Sequence, residues 1–210
     1  MIGAPHSVGV CGKFTAPAFK EHTPMSTQPL QACQAIQRNI LEQVQADQMS
    51  NPTPCASWDV AGLINHVVGA QHFFAAGALG QPPAGGDQDF AAGDYLAAYD
   101  EGVQKCADAF GTEGVLEAEL TLPFGNMSGQ AFMGMAMTDT FQHAWDLAKA
   151  TGQSTDLDAG MATQLHGAMQ NMIQPGFRGE DGAAPFGAEQ ECADGSCAAD
   201  QLAAFLGREV

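Results

Sequence analysis

The sequence predicts an all-α protein built as an up-down four-helix bundle with a short closing helix. Three observations carry this. Apolar residues recur in steps of three and four through five long segments. No segment shows the sustained alternation of a convincing sheet former. The segments are separated by Pro- and Gly-rich connectors that break helices and reverse the chain.

The first helix starts at Thr27-Gln28-Pro29, a hydroxyl able to cap followed by a proline tolerated in a first turn. Leu30, Cys33, Ile36, Ile40, Leu41 and Val44 form its stripe, which predicts an end near residue 48. Asn51-Pro52-Thr53-Pro54-Cys55-Ala56 is a rigid connector. Ser57 is the expected cap of the second helix, which carries Trp58, Val60, Leu63, Ile64, Val67, Val68, Phe73 and Phe74 and ends near Gly77-Ala78-Leu79-Gly80. His66 lies at the edge of that stripe. The thirteen residues from Gln81 to Gly93, with Pro82-Pro83 and Gly85-Gly86, form a loop long enough to rim or cover a pocket.

The third helix spans about Asp94 to Phe110, with Leu96, Tyr99, Val103, Cys106 and Phe110 on one side. Glu119 to Gly125 reads as an extended stretch ending in a turn. Ser128 caps the fourth helix, and Gly152 supplies its left-handed stop. At roughly 24 residues it is about 36 Å long. A fifth helix, about Asp158 to Ile173, carries Met161, Leu165, Met169 and Met172, and Asp200 to Leu206 forms a short last one. The expected organisation is therefore a flexible extension over 1–26, with Met25 as an alternative start, a bundle over 27–175, and a Gly-rich tail with a closing helix over 176–210.

Charge and composition narrow the function. Seven Lys and Arg stand against 24 Asp and Glu, a formal charge of −17, with no basic stripe. Such a surface repels nucleic acid and anionic membranes, so neither is an expected partner. No apolar run reaches the roughly eighteen residues a membrane span needs. The six cysteines show no Cys-x-x-Cys spacing, and Cys33 and Cys106 fall on apolar stripes. Scattered reduced thiols in a cytoplasmic protein are expected, with a Cys192–Cys197 loop disulfide as the alternative. The first 24 residues lack the apolar centre of a signal peptide.

The chemistry concentrates in the fourth helix. Asp139 and His143 are four residues apart and project about 40° from one another, so together they can grip one object. With His66 from the second helix they make a 2-His-1-carboxylate set, which suits zinc, nickel or iron and leaves positions open. By spacing alone the alternative is a core-edge His66 paired to Asp139 without a metal. Trp145 reads as core, and Asp146 as a hydrogen-bond partner of His143 or of a neighbouring helix rather than a ligand. His72 is expected to face solvent and His166 to pack among methionines. Met127, Met133, Met135 and Met137 read as adaptable core or pocket lining.

Motif order sharpens this reading. Pro52 to Val60 followed by Leu63-Ile64-Asn65-His66 resembles the start of the second helix in the mycothiol-dependent maleylpyruvate isomerase N-terminal family, within the DinB-like metalloenzyme superfamily. Asp139 to Ala148 resembles its second signature, and Ala203-Ala204-Phe205-Leu206-Gly207-Arg208 the end of an uncharacterised branch. The resemblance spans about residues 27 to 208. It implies a DinB-like four-helix bundle with one divalent metal, most simply zinc, held by His66, Asp139 and His143. It also implies a low-molecular-weight thiol such as mycothiol, an electrophilic substrate and a thiol transferase or isomerase reaction. Two departures stand out: Asp139 replaces the Glu of the isomerases, and a tail with one short helix stands where they carry a further C-terminal domain. These argue against maleylpyruvate isomerisation itself. The other readings are a non-enzymatic bundle with a vestigial or structural metal site, and a metal-dependent hydrolase. Whether the protein forms a homo-oligomer is left open.

Overall fold

The computed structural model describes residues 26–86, 88–180 and 183–210, so the expected extension over 1–26 lies outside the described residues except for Ser26. Six helices and one hairpin follow in chain order: α1 (Gln28–Glu42), α2 (Val60–Ala78), α3 (Tyr95–Phe110), β1 (Glu119–Leu122), β2 (Gly125–Ser128), α4 (Gly129–Thr151), α5 (Ala159–Met172) and α6 (Ala198–Phe205). The all-α expectation holds, with a single two-stranded antiparallel hairpin added. α3 and α4 each pack against both α1 and α2, which closes a four-helix bundle, while α6 packs on α5 and α4.

Side-chain caps set most helix starts. Asp94 accepts from the Ala97 N–H (3.0 Å), Ser128 from Ala131 (3.2 Å) and Asp158 from Met161 (2.7 Å), each satisfying a donor with no partner inside its helix. Gly152, at φ +70°, closes α4 as expected. Three ends differ from the sequence reading. At α1, Ser26 Oγ rather than Thr27 accepts from the Gln28 N–H (3.1 Å). α1 also stops at Glu42, because Gln45 turns extended and exchanges hydrogen bonds with Gln48 in a separate short turn, Ala46–Gln48. At α2 the cap is Asp59, whose carboxylate accepts from the Gly62 N–H (2.8 Å), and Ser57 and Trp58 stay in the preceding connector.

Two apolar clusters fill the bundle. One, at the hairpin end, contains Phe74, Phe110, Phe132, Phe141, Trp145 and Leu202; the other contains Leu41, Leu63, Ile64, Val67, Tyr99 and Leu147. Each fully buried large side chain contributes about 1.5–3 kcal/mol by leaving water. A buried polar thread crosses the interior. Gln34 donates to Gln71 Oε1 (2.7 Å), Gln71 donates to Thr140 Oγ1 (3.2 Å), and Gln37 donates to the Thr140 carbonyl (2.9 Å). These bonds tie α1 and α2 to the turn of α4 that carries Asp139, so the site sits on a cross-braced frame. Among the described residues no helix is long and apolar enough to cross a membrane.

Candidate metal centre

The site lies where α2 and α4 face each other. His66 Nε2 is 3.3 Å from Asp139 Oδ1, and His143 Nε2 is 3.6 Å from the same oxygen. One nitrogen from each imidazole and one carboxylate oxygen all lie within 4.8 Å of one another. A tetrahedral ion with bonds of about 2.0–2.1 Å separates its ligand atoms by about 3.3–3.4 Å, so both separations fit one. Asp139 Oδ2 is buried and has no hydrogen-bond partner, the only carboxylate oxygen in that condition among the described residues. Such an atom is costly in a metal-free protein, and a cation removes the cost.

His143 is held from behind. Its Nδ1–H donates to Asp146 Oδ2 at 2.8 Å, and because a carboxylate only accepts, this bond puts the hydrogen on Nδ1 and aims Nε2 at Asp139. Asp146 is fully buried and also accepts from Arg208 (Nε to Oδ1, 2.9 Å; Nη2 to Oδ2, 3.2 Å), Gln142 (3.3 Å) and the Cys55 thiol (3.3 Å). Burial opposes ionisation of Asp146, but the hydrogen bond from His143 and the charge of Arg208 prevail and hold its carboxyl down at about 2. Burial likewise opposes a charged His143, yet Asp139 and Asp146 push it up to about 10. Burial pushes the Cys55 thiol up, so it stays protonated.

Cys55, His143 and Asp146 form a second group whose atoms are close enough for a metal. Arg208 already supplies the cation there, with Nη2 3.2 Å from Cys55 Sγ and both carboxylate oxygens engaged. The uncompensated set is therefore His66, Asp139 and His143.

The connector before α2 brings two more residues in. Thr53 Oγ1 accepts from the Cys55 N–H (3.1 Å) and lies 2.8 Å from the Trp58 carbonyl, folding residues 53–58 into a tight knot that points Cys55 and Trp58 inward. The Trp58 ring stacks on His66 with centroids 4.5 Å apart and fixes the imidazole plane. A cavity of about 750 Å³ opens from His66 and Asp139 and is lined further by Trp58, Phe73, Phe74 and Met135, with Pro83–Gly86 as its rim. The loop after α2 is thus part of a pocket, as its length implied.

Trp145 is fully buried and donates from Nε1 to Asp200 Oδ1 (2.8 Å). His72 does not face solvent: it is half-buried, its ring parallel to Phe90 at 5.8 Å beneath the loop the sequence left without a packing partner. His166 packs on Phe205, with centroids 4.9 Å apart. Met133 and Met137 are core and Met135 lines the pocket. Cys192 and Cys197 are free thiols, as are Cys33, Cys55 and Cys106, while Cys11 lies outside the described residues. The sequence reading missed Cys55 and Arg208 as parts of the site, although both stand inside quoted motifs.

Two curated relatives, the uncharacterized proteins MT0763 and Rv0738 of Mycobacterium tuberculosis strains CDC 1551 / Oshkosh and ATCC 25618 / H37Rv, are each 41% identical to this chain over 187 residues. The match covers 87% of this chain and 98% of each relative. No solved structure matches it. Residues 30–148, more than half of the chain and a span that includes His66, Asp139 and His143, match the model for the mycothiol maleylpyruvate isomerase N-terminal domain. With a helical bundle compatible with the DinB-like class and ligand-type side chains facing each other across α2 and α4, the chain belongs to the mycothiol maleylpyruvate isomerase N-terminal domain family.

Proposed function

We propose that the protein is a divalent-metal-dependent thiol transferase or isomerase that uses a low-molecular-weight thiol such as mycothiol, with His66, Asp139 and His143 as the metal ligands. The observation that supports this best is the convergence of those three side chains on one point beside a cavity, with Asp139 Oδ2 buried and unpartnered. Imidazole and carboxylate donors suit zinc first, with nickel or iron also compatible. When bound, such an ion supplies a Lewis acid that lets a thiol act as a thiolate at neutral pH.

The chain's own residues do the rest. Asp146, itself held by Arg208, orients the His143 ring with its Nε2 toward the centre, where an ion would take the place of the Nε2 proton, and Trp58 fixes the plane of His66. Phe73, Phe74 and Met135 exclude water from the side of the cavity where an electrophile would sit. Cys55 is not the nucleophile, since burial keeps its thiol protonated and Arg208 and Asp146 occupy its surroundings. The five described free thiols fit a reducing, cytoplasmic setting. The bundle over 27–175 is proposed as the catalytic body, with the segment over 176–210 closing it through Arg208.

A turnover screen of zinc-, nickel- and iron-loaded protein against several thiols and electrophiles tests the reading. Thiol-dependent turnover that falls to background in His66→Ala supports it. Turnover without added thiol favours a hydrolase, and none with any combination favours a bundle whose metal is structural or lost.

A further inference from the structure

The cavity beside the centre has a polarity that selects among substrates. His66 and Asp139 line it together with Met135, one turn before Asp139 on α4, and Phe73 and Phe74, two turns after His66 on α2. Besides the Trp58 indole, the other polar side chain of the lining, Asn65, is already committed: its Nδ2 donates to Asp89 Oδ1 (3.2 Å) and its Oδ1 accepts from the Ala91 N–H (2.8 Å). The rim is set by close backbone packing. A Cβ at Gly69 would lie 2.6 Å from the Gly85 carbonyl oxygen, and Gly85 holds φ +87°. The pocket is therefore formed before a ligand arrives.

No Lys or Arg side chain is part of its lining; Lys105 lines an adjoining cavity that shares Pro83–Gly86. Arg38 pairs with Asp100 (2.7 Å) and Lys105 with Glu101 (2.6 Å), and Lys149 lies over the Trp145 ring. Arg178 donates to the carbonyls of Gly187 and Phe205 (both 2.8 Å), and Arg208 is held by Asp146. A single anionic or polar head is compatible with a divalent ion beside Asp139. A second anionic charge against Phe73, Phe74 and Met135 would lose part of its hydration and find no Lys or Arg in the lining to replace it, which is unfavourable.

We propose that this pocket takes a substrate with one metal-binding head and an uncharged, apolar body, and rejects dianionic substrates such as dicarboxylates. This rests on the metal-site reading for the head group, whereas the preference against a second charge is a property of the pocket alone. Met135 and Phe73 are then its specificity-determining residues.

Calorimetric titration of the full-length zinc-loaded protein with para-methylbenzohydroxamate and para-carboxybenzohydroxamate tests it, with tryptophan emission as a second readout. The methyl compound is expected to bind at least about tenfold more tightly. Met135→Arg, or Met135→Lys at the same half-buried position, should abolish or reverse that order while the thermal melt stays cooperative. Equal or tighter binding of the carboxylate by the unaltered protein overturns the proposal, and so does an unchanged order in both variants. The metal-stripped protein with para-methylbenzamide and para-carboxybenzamide separates the two claims. If hydroxamates bind no better than amides, the metal site fails, and the preference between the amides still decides the pocket. If no neutral probe binds at millimolar concentration, the pocket proposal is overturned.

Discussion

Arg208→Met should destabilise the protein by about 3 kcal/mol. The Asp146 side chain is fully buried and that of Arg208 only 16% exposed, so removing the guanidinium strands a carboxylate inside the protein. Breaking one side of such a pair costs about 3–5 kcal/mol. The low end applies because Asp146 keeps the bonds from His143 (2.8 Å) and Gln142 (3.3 Å). At roughly 2–4 °C per kcal/mol for a chain of this size, Tm falls by about 6–12 °C. Arg208→Lys should recover only part of this, since an ammonium cannot span both carboxylate oxygens and Cys55 Sγ together. Urea unfolding followed by circular dichroism measures the loss directly. In an Asp146→Asn background the same Arg208→Met change should cost at least about 1 kcal/mol less, because no charge is left stranded. A loss below about 1 kcal/mol for Arg208→Met, or full additivity with Asp146→Asn, would refute the idea that the C-terminal arginine is the counter-ion of the buried carboxylate.

Two further outcomes follow from the packing. Burial pushes the Cys33 and Cys106 thiols up to about 12, above the roughly 8.5 of a free thiol, so the folded state holds them neutral. Their contribution to stability is complete below about pH 8.5 and is lost as pH rises towards 12, as the unfolded chain gains thiolates that the folded chain cannot. The urea midpoint should therefore fall between pH 8 and 10.5. Over the same range mass-spectrometric mapping should find alkylation of Cys192 and Cys197 well before Cys33 and Cys106, and the reverse order contradicts the burial argument. Gly69→Ala places a methyl 2.6 Å from the Gly85 carbonyl and should cost about 1–3 kcal/mol while speeding proteolysis within residues 81–93. Gly134→Ala, with open space around its Cβ, should instead be neutral or stabilising by up to about 1 kcal/mol; equal cleavage of the two variants would count against the rim being seated by Gly69.

What the sequence made legible follows physical range. Caps act over three residues, so the Ser128 cap, the Gly152 stop and helix starts near Asp94 and Asp158 were readable from the chain alone. α2 started two residues later than expected because Thr53 ties residues 53–58 into a knot, a contact that periodicity does not encode. α1 ended early for a similar reason: Ile40, Leu41 and Val44 continue the stripe, but the backbone leaves the helix at Gln43. The second hairpin strand, Gly125–Ser128, has no β-branched or aromatic residue to announce it. Within the site, the spacing of Asp139 and His143 and the family resemblance together pointed to the residues that meet His66. Arg208 was invisible by spacing because its partner lies 62 positions away, and Cys55 because its role depends on that contact.

His66, Asp139 and His143 are proposed to share one divalent ion. Metal analysis after equilibrium dialysis against zinc, on the full chain and on His66→Ala, Asp139→Ala and His143→Ala, tests it most directly. About one zinc per chain is expected in the unaltered protein and a loss of at least about tenfold in affinity in each variant, with circular dichroism showing that each remains folded. Equal zinc content in all four proteins would contradict it.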